Sequence, residues 1–91
     1  MTQQQMTTNS IREYFRNYDK IKVVDKEVEI IIKCQWEENS LDIHLKIEDN
    51  KLMYGDSSIK IFELWRIMFM EAMNHYELAM NRLHKVTMNV N

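Results

Sequence analysis

Three histidines, one cysteine and two adjacent carboxylate pairs are the residues of this 91-residue chain that could build a metal or acid-base site. His75 and His84 stand nine positions apart in a helical stretch, and His44 lies in a strand pattern. At about 100° per position the two helical histidines turn to opposite sides of the axis, so the three do not converge on one metal. Glu71 and His75 have the i, i+4 spacing that can hold a metal, but the pair reads as an ordinary helix-surface contact. Cys34 shares an apolar strand face with Ile32 and Trp36, with no His or Lys next to it in the expected strand pairing to make a thiolate, and reads as a small buried hydrophobe. Glu37-Glu38 and Glu48-Asp49 fall at expected turns, where nothing apolar would raise a carboxyl pKa. The single glycine rules out the glycine-rich loops that bring backbone amides against phosphate. Ser57 and Ser58 read as helix caps rather than nucleophiles. The expectation is a non-enzymatic chain with no catalytic residue, no cofactor and no metal.

Composition points the same way. Twelve basic against 14 acidic residues create no field that would gather nucleic acid or an anionic membrane. A chain of this length forms one domain and buries roughly 60–65 % of its unfolded surface. One cysteine excludes a disulfide within the chain and fits a reducing, cytoplasmic setting. Neither a signal-peptide pattern nor a run of 18 apolar residues occurs, so no membrane is implied.

The elements follow from the period of the apolar residues. A Gln- and Thr-rich start predicts a disordered tail over residues 1–9, ahead of a single domain over 10–91. Ser10-Ile11-Arg12-Glu13 has the capping-box form, and Ile11, Tyr14, Phe15 and Tyr18 recur at helical spacing, giving a short helix that ends near Asp19. From Lys20 to Tyr54 the period falls to two. Val28, Ile30, Ile32, Cys34 and Trp36 form the apolar side of one strand, and Leu41, Ile43, Leu45 and Ile47 that of the next. A four-residue loop, Glu37 to Ser40, would pair Trp36 with Leu41 and Lys33 with His44, and is preferred as avoiding a Lys33–Lys46 clash. Asp49-Asn50 turns the chain into Leu52 to Tyr54, and Lys20 to Val24 can add an edge strand. Val86, Met88 and Val90 suit either a final strand or a helix end. The fold class is α+β: a short N-terminal helix, a three- or four-stranded antiparallel meander, and a long C-terminal helix packed on one sheet face.

That long helix, from Ser58 to Leu83, has more apolar surface than one packing face can use. Phe62, Trp65, Phe69, Ala72, Tyr76, Ala79, Leu83 and Val86 step alternately by three and four and are assigned to the core, with Trp65 and Phe69 on Ile32 and Leu45. Ile67, Met70 and Leu78 lie on the opposite side among charged and amide residues. Either the N-terminal helix folds over Ile67 and Met70, or these residues, flanked by Leu64, Met73 or His75, form a seam for another molecule. The interaction residues on the second reading are Leu64, Ile67, Met70, Met73 and Leu78, and an antiparallel pairing of two copies is its simplest form.

Helix, three strands and helix is also the order of double-stranded-RNA-binding domains. Those domains place a basic cluster at the start of the final helix, where this chain has only Lys60 between Ser57 and Glu63. Over most of its length the chain resembles small phage-encoded anti-CRISPR proteins that block type II effector nucleases. Ile11-Arg12-Glu13, the strand Glu29-Ile30-Ile31-Ile32-Lys33, and Ser58-Ile59 with Phe62 carry the resemblance, which transfers no residue role. Such inhibitors commonly have a dense acidic surface, whereas the outward sheet residues here mix Glu29, Asp42 and Glu48 with Lys33, His44 and Lys46. The resemblance implies a viral inhibitor acting in the host cytoplasm by a route other than DNA mimicry. The resulting expectation is a protein-binding module, a homodimer and/or a binder of a host defence protein. A small dimeric nucleic-acid-binding module is the alternative.

Overall fold

The computed structural model describes residues 2–36 and 39–89, excepting the side chains of Trp36 and of residues 77–89. Helix α1 (Gln3–Tyr14) is followed by five strands, β1 (Ile21–Asp25), β2 (Ile30–Trp36), β3 (Asn39–Glu48), β4 (Lys51–Tyr54) and β5 (Ser57–Ser58). A 3-10 turn (Ile61–Glu63) then leads directly into helix α2 (Leu64–Asn89). The fold is α+β, with five strands in sequence order, each antiparallel to its neighbour.

Helix α1 begins well before the expected start. Thr2 caps it: the Gln5 amide donates to the Thr2 hydroxyl at 3.1 Å, and the Thr2 amide donates to the Gln5 side chain at 2.9 Å. Residues 3–9, expected to be a disordered tail, are therefore its first two turns. Ser10 is no cap, because its hydroxyl donates back to the Met6 carbonyl at 3.0 Å inside the helix. Docking explains the extension, since Thr8 and Ile11, one turn apart, are both fully buried. Gln4 also reaches Asp25 at the end of β1.

β3 keeps the period of two in its burial, whereas β2 buries Ile31 as well as Ile30 and Ile32, and the register differs from the expected one. Trp36 pairs with Asn39, leaving two residues between the strands instead of four. Lys33 then faces Asp42 and not His44, so the like-charge objection to a shorter loop does not arise. β2 starts at Ile30, and Val28 lies outside it at 82 % exposure. The Asp49-Asn50 turn is where the sequence placed it, with both residues at positive φ, as a two-residue hairpin of this hand requires. Gly55 supplies the same left-handed conformation between β4 and β5. Ser57 and Ser58 are the last strand, so the helix begins later than their capping character suggested. The segment around Val86 and Met88 is helical, because α2 runs to Asn89.

Both helices lie on the apolar sheet face. Ile11 of α1 and its C-cap Phe15, with Leu64, Ile67 and Met68 of α2, close over Val23, Ile30, Ile32, Cys34, Leu41, Ile43 and Leu45. The orientation of α2 is the main correction. Leu64 and Ile67, expected at an exposed seam, are core residues, while Phe69, expected in the core, is 67 % exposed. Both stripes have helical spacing, and spacing alone does not say which one turns inward. Two tertiary contacts decide it: Tyr54 of β4 donates a hydrogen bond to Glu71, and Trp65 packs on aromatic residues at the end of α1.

Candidate interaction face

The exposed side of α2 carries Trp65, Phe69, Met73 and Tyr76, on three successive turns, with Phe62 from the 3-10 turn below them. Phe62 and Phe69 are each 67 % exposed and Tyr76 is 61 % exposed. Single exposed apolar residues are ordinary on a protein surface, whereas a contiguous run of aromatics marks a contact face.

Trp65 anchors the inner margin of this face. Its ring meets Phe15 edge-on, with centroids 5.1 Å apart and planes at 73°, and meets Tyr18 at 4.8 Å and 72°. Such T-shaped contacts match a positive ring edge to a negative face and fix side-chain geometry as well as burying area. Beside them opens a largely apolar cleft of about 590 Å³ between α2 and the ends of β1, β2 and β3, walled by Tyr18, Ile21, Leu41, Trp65, Phe69 and Ala72. A second cleft, of about 710 Å³, lies between α1 and the β4 side, with Tyr14, Leu52, Ile59 and Phe62 among its walls.

Of the residues expected to interact, Met70 and Met73 are exposed, whereas Leu64 and Ile67 are buried, and Leu78 lies outside the described side chains. The arrangement combines the two readings of the sequence. Ile67 is covered in a core shared with α1, as one reading held, yet Met70 beside it remains 54 % exposed. A surplus apolar face does exist, but it is the aromatic stripe expected in the core. Tyr18 was not foreseen as part of it. The signal available was its i+3 spacing from Phe15, which carries the aromatic run past the end of α1.

Burial, with the charge of Asp42 adding to it, pushes the Cys34 thiol up to about 11, which favours the protonated thiol at neutral pH. The hydrogen bond to Glu71 pushes Tyr54 up to about 12, with burial and the Glu71 charge adding to the effect. Glu71 is thereby engaged with Tyr54 and not with His75, which is exposed. His44 pairs with Glu29 at 3.1 Å on the outward sheet face, and Glu48 pairs with Lys46 at 3.3 Å. Glu37 and Glu38 lie outside the described residues, as does the His84 side chain. Among the described residues no three His, Cys, Asp or Glu side chains gather in a way that could hold a metal, and no helix is long and apolar enough to cross a membrane.

Comparison with models of protein families, with curated proteins and with solved structures gives no match.

Proposed function

We propose that this chain is a non-enzymatic protein-interaction module that acts by occupying a surface on another macromolecule through the aromatic face of α2. The observation that carries this reading is the exposure of Trp65, Phe69, Met73 and Tyr76 on successive turns of a helix whose other side is already seated on the sheet. Removing such a face from water gives a large, non-directional gain, and Met residues at its border adapt to a partner's shape. The most concrete version is a phage or mobile-element inhibitor of a host defence protein, working in the host cytoplasm as a homodimer and/or directly on its target. The mixed charge of the outward sheet face supports apolar occupancy over DNA mimicry: Lys33 faces Asp42, and His44 and Lys46 pair with Glu29 and Glu48. The same neutralisation weighs against the nucleic-acid reading, which needs several free cations on one side.

The test is target cleavage by a panel of type II effector nucleases, each preincubated with the chain. A stoichiometric, salt-tolerant block that Phe69→Asp removes is the expected result. Full cleavage by every effector at molar excess would refute the inhibitor version.

A further inference from the structure

We infer that the aromatic face of α2 is a seam for a second copy of this chain, the two helices pairing antiparallel about a two-fold axis level with Asn74. The inference rests on the reading of this face as a binding face and names what covers it. Trp65, Phe69, Ala72 and Tyr76 step by four, three and four, and the sequence continues the same alternation to Ala79 and Leu83 on a helix whose backbone runs to Asn89. Such a repeat places one residue of every step on a single seam between two helices.

Residue size along that seam selects the partner and its direction. Phe69 and Tyr76 are large, whereas Ala72 and Ala79 are small. Two parallel copies would stack Phe69 on Phe69 and Ala72 on Ala72, alternating overfilled layers with empty ones along helices that can hold only one separation. Antiparallel copies centred on Asn74 instead set Ala72 against Tyr76, one small residue against one large, and bring Phe69 level with position 79. Trp65 then meets position 83, and the partner's last turns enter beside the cleft walled by Tyr18 and Leu41. A sequence that is self-complementary about its own midpoint is what an isologous contact requires.

Area and edges agree with this. Phe62, Phe69 and Tyr76 are each about two-thirds exposed, and at roughly 150–250 Å² per aromatic side chain they remove about 800 Å² from water over two chains. Trp65, Met73 and the cleft walls extend that toward the roughly 1,200–2,000 Å² typical of specific interfaces. Pairing through the sheet is less favourable. Arg12 donates twice to the Val23 carbonyl at the β1 edge, and the opposite edge strand, β5, has only two residues.

Light scattering after size exclusion should give twice the chain mass of 11.1 kDa at micromolar concentration. Phe69→Asp and Tyr76→Asp, which replace exposed residues, should leave the circular dichroism unchanged and weaken the dimer by on the order of 30-fold or more. Direction is read by oxidising a mixture of Ala72→Cys and Tyr76→Cys chains in a Cys34→Ala background. Antiparallel pairing gives mainly the mixed disulfide, and a predominance of links between two Ala72→Cys chains overturns it. A parent that stays monomeric also overturns the inference, and anilinonaphthalene sulfonate then separates the two possible failures. Dye binding lost in Phe69→Asp leaves the binding face standing without a second copy. Absence of dye binding removes the face as well.

Discussion

Arg12 donates two hydrogen bonds to the Val23 carbonyl from one guanidinium edge, through Nε at 3.1 Å and Nη2 at 3.0 Å. One guanidinium thereby ties α1 to the edge strand of the sheet and occupies an acceptor that another strand could use. Arg12→Ala should cost about 1–3 kcal/mol in urea unfolding, and the variant should self-associate at high concentration with a gain of β signal. Arg12→Lys should recover only part of the loss, because an ammonium lacks the fork. A variant as stable and as soluble as the parent would show the contact to be incidental.

Trp65 joins α2 to the residues that follow α1 through edge-on contacts with Phe15 and Tyr18. Phe15 is buried and packs edge-on against both Tyr14 and Trp65. Phe15→Ala should cost about 3–5 kcal/mol, and a cycle with Trp65→Ala should return a coupling of about 0.5–1.5 kcal/mol. Additive losses would mean that the rings only share space.

Stability should also discriminate between the two stripes of α2. Leu64 is fully buried, so Leu64→Ala should cost about 2–5 kcal/mol. Phe69 is largely exposed, so Phe69→Ala, measured in dilute solution where any dimer is dissociated, should change stability by no more than about 0.5 kcal/mol. The reverse order would return Phe69 to the core.

How far this was readable depends on what kind of information each element carries. The strands around Ile30 and Ile43 were legible because a period of two states at once which residues face inward. The Asp49-Asn50 turn was legible because few residues tolerate positive φ. The start of α1 was misplaced although Thr2-Gln3-Gln4-Gln5 has a capping-box form, because a polar tract gave no sign that Thr8 would be buried. The direction of α2 was not legible. Leu64, Ile67 and Met68 compete with Trp65, Phe69 and Tyr76 at equal spacing, and contacts distant in sequence, Tyr54 with Glu71 and Phe15 with Trp65, break the tie. The candidate face was therefore visible as a surplus of apolar residues, but on the wrong side of the helix.

Thr8 offers a test of polar burial inside α1. It is 1 % exposed, and its hydroxyl has no hydrogen-bond partner among the described residues. A buried hydroxyl without a partner loses its hydration without recompense, and valine has nearly the same shape and helix propensity. Thr8→Val should therefore raise the stability by about 0.5–1 kcal/mol. A loss of stability would reveal that the hydroxyl is satisfied in solution.

Alkaline pH should loosen α2 from the sheet. Tyr54 is pushed from 10.0 to about 12, chiefly by its hydrogen bond to Glu71, and Cys34 is pushed from 9.0 to about 11, chiefly by burial. Each folded-state pKa lies above its unfolded value, so the native state holds these protons more tightly. The resulting stabilisation is complete below the unfolded pKa and is lost as pH climbs through the folded one. For Cys34 the window runs from pH 9 to about 11, and for Tyr54 from pH 10 to about 12. Urea midpoints measured across this range should fall for the parent, fall less steeply in the lower window for Cys34→Ala, and fall less steeply in the upper window for Tyr54→Phe. Tyr54→Phe should also lose about 1 kcal/mol at neutral pH, where the phenol donates to Glu71. If the parent and Tyr54→Phe decline in parallel from pH 10 to 12, the Tyr54–Glu71 bond does not hold α2 in place, and the aromatic packing of Trp65 alone sets the direction of the helix.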